Sequence, residues 1–199
     1  MDYNLLTNIA MGIGLSACAG FRVFIPMLAG ALAAHFGIIE LPGDMQWMSS
    51  WPAIIVFGTA AIAEIGAYYI PFIDNILDTI AAPLSVAAGT VLASSILPIQ
   101  DLEAPMRWGI GLLAGGAAAG TIQLGTGLLR LLSSKATVGA GNAVVATTEN
   151  AAAIGGSVLV FVVPVFIALL FVGLVGWILY KIVKRIARQG PNVVSRKET

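Results

Sequence analysis

The sequence predicts an all-α fold, a polytopic transmembrane helix bundle of five to six spans with room for broken or re-entrant helices. Three observations carry this. Of the 199 residues, 58% are apolar and only 10% charged, against about 25% charged in a soluble domain. Mean hydropathy is +0.94. The apolar residues fall in long runs separated by short turn-forming segments, and about 20 consecutive apolar residues suffice to cross a bilayer as a helix. Disorder is excluded by the high hydrophobicity. A disulfide scaffold and a Cys/His zinc site are excluded by one cysteine (Cys18) and one histidine (His35).

The first apolar run covers residues 5–36 and holds Gly20, Arg22 and Pro26 near its centre. It exceeds one span, and an interior proline removes a helix hydrogen bond. Either one kinked helix crosses here, or two half-helices meet near Ala19–Arg22. Pro42, Gly43 and Asp44 then mark a loop, with Trp47 and Trp51 placed at an interface. A second span follows over about Pro52–Ile70 and contains Glu64. Pro71 and Pro83 bracket an expected short helix carrying Asp74, Asn75 and Asp78, with the two acids four residues apart on one face. The third span is placed at about Leu84–Ile99 and the fourth at about Met106–Leu132. Gly111, Gly115, Gly116 and Gly120 in the fourth suit close helix approach, and through such faces a homo-oligomer. Residues 133–150 are the least apolar internal stretch and admit a re-entrant piece; Asn142, after two glycines, reads as a turn. The last span is placed at about Ala151–Tyr180, with Pro164 inside it.

Residues 1–185 thus form one transmembrane domain, and 186–199 a basic tail. Six of the ten basic residues lie from Lys181 onward, directly after Trp177 and Tyr180. Aromatics followed by a basic cluster mark a cytoplasmic boundary, so the C-terminus is expected in the cytoplasm. Five spans would then put Arg130 and Lys135 outside, against the positive-inside rule. An extra crossing or burial of Lys135 would remove the conflict. The basic patch is too narrow for a nucleic-acid interface. The N-terminus lacks the positive charge of a secretory signal, so the first run is expected to stay in the membrane.

A charge at the membrane centre costs about 3 kcal/mol on insertion scales, so such residues are paired or line water. Arg22 and Lys135 face four acids, Glu64, Asp74, Asp78 and Glu149. Two carboxylates would remain to be protonated or to meet a cation. Asn75, Asn142, Thr147 and Thr148 add neutral oxygens suited to a hard cation, and Asn150 joins the candidate polar site, although Thr147, Thr148 and Asn150 also suit the start of a helix. No Gly-x-Ser-x-Gly or His-Glu-x-x-His motif is present, so no catalytic, cofactor or metal residue is assigned and an enzyme is not expected. The polar residues favour a small transporter or channel with a mid-membrane polar site for a cation or proton. The alternative is a non-transporting scaffold or assembly subunit whose polar residues only lock helix packing.

Three motifs, GLSACAGFRVFIPMLAGALAAHFG (14–37), EIGAYYIPFIDNILDTIAAPLSVAAGTVL (64–92) and KATVGAGNAVVATTENAAAIGGS (135–157), occur in this order, and the chain resembles the DUF4126 family of small bacterial integral membrane proteins. The resemblance implies a bacterial inner-membrane location, lipid as the surroundings and no assigned reaction or substrate. An Ala-Asp-x-Ile/Val-Pro segment precedes the paired acids in that family. Tyr68-Tyr69-Ile70-Pro71 stands there instead, so the acid of that segment is absent.

Overall fold

In a computed structural model, residues 3–137 and 141–189 are described, apart from the side chains of residues 3, 4, 71, 72, 74, 75, 78 and 186–189. The described residues form helices joined by turns and short loops, without strands. The helices are α1 (Tyr3–Cys18), α2 (Phe24–His35), a 3₁₀ helix (Gly43–Ser49), α3 (Trp51–Ala67), α4 (Pro71–Ile96), α5 (Ala104–Gly111), a π-turn (Leu112–Gly116), α6 (Ala117–Thr137), α7 (Asn142–Val162) and α8 (Pro164–Gln189). Four stretches are long and apolar enough to cross a membrane: Thr79–Ile96, Ala104–Thr137, Asn142–Val162 and Pro164–Arg185. The 3₁₀ helix and α3, bent by 59°, make a fifth if counted as one span.

The first apolar run is two half-helices. The chain leaves α1 after Cys18, makes a tight turn and re-enters as α2 in the opposite sense. The register shows the reversal. Gly12 and Ser16 of α1 lie against Leu97 and Gly89 of α4, so α1 and α4 are antiparallel. In α2, Phe24 lies by Glu64, Leu28 by Gly58 and His35 by Trp51, so α2 runs back along α3. The pair is a hairpin whose tip, Ala19–Val23, points toward the end of the bundle where α6 and α8 finish. Pro26 sits in the first turn of α2, where a missing N–H costs nothing.

Two prolines act otherwise than the sequence suggested. Pro83 neither ends a helix nor separates a short helix from a span, since α4 runs through it. Ala81, Ser85, Ala88 and Leu92 are buried on both sides of it at helical spacing, and neighbouring groups in a packed membrane helix take up the bond a proline removes. Pro164 does not kink one span but opens a second. Val163 leaves the helical region at φ −136°, ψ 62°, as a residue before proline tends to, and α8 folds back on α7. A methyl on Gly156 would come within 3.1 Å of the Phe171 ring across this hairpin. The run 151–180 therefore belongs to two spans.

The extra crossing also corrects the sidedness. α6 and α8 run in the same direction, with Gly125 against Ile178. Lys135 thus lies at the same end as Lys181, Lys184 and Arg185, while Glu40, Asp44, Asp101 and Glu103 are exposed at the other. Loop 37–50 lies at that acidic end, opposite Lys181, Lys184 and Arg185. Arg107, buried there, pairs with Asp44.

The glycines of the fourth span are used within the chain. Through the π-turn, Gly115 reaches α4 and α1 so closely that a methyl would lie 2.5 Å from Ala93 Cβ and 2.7 Å from Ser16 Oγ. Gly111, Gly116 and Gly120 likewise face α4. These four are occupied by intramolecular packing, so an oligomer would have to use other faces.

Candidate functional site

The hairpin tip, the end of α3, the second half of α6 and the first half of α7 meet in one buried polar cluster. Arg22 on the tip is 2% exposed, Arg130 on α6 2% and Glu149 on α7 4%. Arg22 Nη1 donates to Glu149 Oε2 at 2.7 Å. Arg130 donates through Nε to Glu149 Oε1 at 3.2 Å and through Nη2 to Oε2. One carboxylate therefore receives two guanidiniums.

Three further hydrogen bonds tie Arg22 to protein acceptors. Nε donates to Asn150 Oδ1 at 2.6 Å, Nη1 to the Phe21 carbonyl at 2.9 Å and Nη2 to the Ala146 carbonyl at 3.3 Å. Both guanidiniums stack on Tyr68, with Cζ 3.8 Å (Arg22) and 4.4 Å (Arg130) from the ring centroid, a cation–π geometry. Asn150 Nδ2 donates to Tyr69 OH at 3.3 Å, and that hydroxyl lies 3.0 Å from Thr147 Oγ1.

Glu64 has a different task. Its Oε1 accepts from the Val23 N–H at 2.8 Å and its Oε2 from the Phe24 N–H at 3.0 Å. The opening N–H groups of a helix have no intrahelical partner and carry partial positive charge. The side chain of Val23, the residue preceding α2, cannot cap them, so a carboxylate from α3 caps α2 instead.

Of the residues singled out in the sequence, the structure gathers Arg22, Glu149 and Asn150, with Glu64 beside them and Thr147 linked through Tyr69. Lys135 is exposed and outside the cluster; the second buried cation is Arg130. Thr148 is exposed, its hydroxyl donating to the Val145 carbonyl at 2.7 Å. Asn142 is not a turn but the first residue of α7, bonded to Ser134 Oγ at 3.0 Å. Thr147, Thr148 and Asn150 therefore lie inside α7, not at its start. Asp74, Asn75 and Asp78 fall in the first turns of α4, and their side chains lie outside the described residues. Among the described residues no surplus of carboxylates remains in the cluster, and no group of three His, Cys, Asp or Glu is placed to hold a metal.

Arg130 and Tyr68 were missed. For Arg130 a signal existed. Ala119, Ile122, Gln123, Thr126 and Arg130 recur at three- and four-residue spacing and are buried, while Leu124, Leu128, Leu129, Leu131 and Leu132 are exposed. In lipid, small and polar residues face the bundle and leucines face outward. Lys135 is out of phase with the buried row.

The cavities near the cluster open sideways between helices and are apolar. One, of about 250 Å³ between α2, α3 and α4, is lined by Val23, Phe24, Ala63, Leu77 and Ile80, with Glu64 and Tyr68 at its wall. Level with the cluster, α8 carries Trp177 and Lys181, the start of the basic segment, since both line a groove with Leu128 and Leu129 of α6. The cluster thus lies toward the basic end rather than midway along the helices.

Neither the curated proteins nor the solved structures contain a significant match to this chain. The model of the domain of unknown function DUF4126 matches residues 9–184, a stretch that holds the hairpin tip, the cluster and the candidate spans up to the last residue of the final one. The chain belongs to the DUF4126 family.

Proposed function

We propose that this protein is a non-transporting structural or assembly subunit of the bacterial inner membrane, held with its basic end and C-terminus in the cytoplasm. The observation that carries this reading is the engagement of Glu149 by both Arg22 and Arg130, with Glu64 occupied by two backbone N–H groups. A cation site needs carboxylate oxygens free to bind, and an anion site needs free donors. The cluster reads instead as a clamp joining the hairpin tip to α3, α6 and α7. Buried charges are retained when they are paired and hydrogen-bonded. The orientation is supported by Lys135, Lys181, Lys184 and Arg185, which collect at one end, because an excess of basic residues marks the cytoplasmic side.

A second reading, passage of a cation or proton, is favoured by one observation. Glu64 stands in the wall of the 250 Å³ cavity, at the break between two half-helices, as sites in broken-helix transporters do. Proteoliposomes separate the two. The structural reading predicts proton, Na⁺ and K⁺ flux equal to that of protein-free vesicles. Flux above that level that Glu64→Gln abolishes would overturn it.

A further inference from the structure

We propose an anionic phospholipid site in the groove between α6 and α8. The groove measures about 280 Å³. Leu129 and Leu132 of α6 and Leu174 and Ile178 of α8 line it, with Lys181 and Arg185 toward the tail end. On α8 the residues Leu174, Ile178, Lys181 and Arg185 recur at three and four residues, so an apolar strip passes directly into a basic one on a single face. Leu129 and Leu132 remain 57% and 54% exposed. Among the described residues, only Phe21 of the hairpin tip joins α6 and α8 in lining the groove.

The chemistry selects the occupant. Apolar walls facing the bilayer take an acyl chain. Two cations at the headgroup level take a phosphate. Trp177 lines the same groove, with Lys181 Nζ 5.3 Å from its ring centroid, the level at which tryptophan marks the membrane interface. Basic pockets between membrane helices on the cytoplasmic side recognise anionic headgroups in this way. A zwitterionic lipid would fill the groove but gain less at its mouth, since its own cation opposes Lys181 and Arg185. The proposal rests on the chain spanning a bilayer and is independent of the clamp.

The test uses the full chain in a neutral detergent, titrated with phosphatidylglycerol or with phosphatidylcholine of the same acyl chains, bound lipid being read by native mass spectrometry. Two basic contacts predict roughly 30-fold tighter binding of the anionic lipid. Lys181→Gln with Arg185→Gln should remove this preference. Both residues are exposed, so the fold should survive. Lys184→Gln should keep the preference, because Lys184 turns to Tyr180 at 3.1 Å and does not line the groove. Leu129→Trp, which narrows the groove and leaves the charges, should weaken both lipids. Equal binding of the two lipids by the unaltered protein would overturn the site. So would a preference that survives the double substitution, or one that Lys184→Gln removes equally.

Discussion

Replacing Glu64 by glutamine separates a cap from an ion-binding carboxylate. Both carboxylate oxygens accept backbone N–H bonds, at 2.8 and 3.0 Å. An amide keeps one acceptor oxygen and turns an NH₂ group toward the other N–H. One buried donor is left unpaired, which costs about 1–3 kcal/mol. The negative charge at the start of α2 is also lost, worth about 0.3–1 kcal/mol and up to about 2 kcal/mol when partly buried. Glu64 is 9% exposed, so the sum is placed at about 2–4 kcal/mol. Reversible unfolding in mixed micelles, followed by helicity, measures it directly. A carboxyl that works by taking up and releasing a proton would give the opposite result. Its protonated form resembles an amide, and glutamine would be tolerated. A Glu64→Gln protein within about 0.5 kcal/mol of the unaltered one would refute the capping argument.

Further outcomes follow from the same geometry. Arg130→Gln leaves Glu149 with one cation and should cost about 3 kcal/mol, whereas Lys135→Gln, at an exposed position, should stay within about 0.5 kcal/mol; micelle unfolding of both checks the pair. Gly115→Val forces a side chain against Ala93 and Ser16 and should destabilise by at least the 1–3 kcal/mol typical of overpacking, read as loss of folded protein on size exclusion. Gly127→Ala, into open space, should be neutral or stabilising by up to about 1 kcal/mol. Cysteines placed at Asp101 and Lys135 should label with impermeant maleimide from opposite faces of the membrane, Asp101 in intact cells and Lys135 only after permeabilisation.

The class of fold was legible because composition alone demands a lipid-facing surface. The broken first run was legible because Gly20, Arg22 and Pro26 interrupt a stretch too long for one span. The prolines at 83 and 164 were not separable from their neighbours, since apolar residues continue on both sides of each. Packing decided them. Pro83 lies in a helix whose buried row continues past it, and Pro164 sits where α8 turns back on α7. The length of the 151–180 run already exceeded what one span needs, and that was the available hint. For the polar cluster, Arg22 and Glu149 were identifiable as charges in apolar runs. Their convergence was not, because Arg22 and Glu149 lie 127 residues apart in the chain. Ordering buried charges by helical phase would have selected Arg130 over Lys135.

The clamp itself is tested most directly by removing its shared counter-charge. Glu149→Leu leaves two buried guanidiniums, both stacked on Tyr68, without a carboxylate between them. Breaking a buried ion pair in this way costs about 3–5 kcal/mol, while replacing all its members by apolar residues is often neutral. The triple substitution Arg22→Met, Arg130→Met and Glu149→Leu should therefore recover most of the loss caused by Glu149→Leu alone, measured by the same micelle unfolding. A Glu149→Leu protein as stable as the unaltered one, or a triple variant no more stable than the single, would contradict a clamp held by charge pairing.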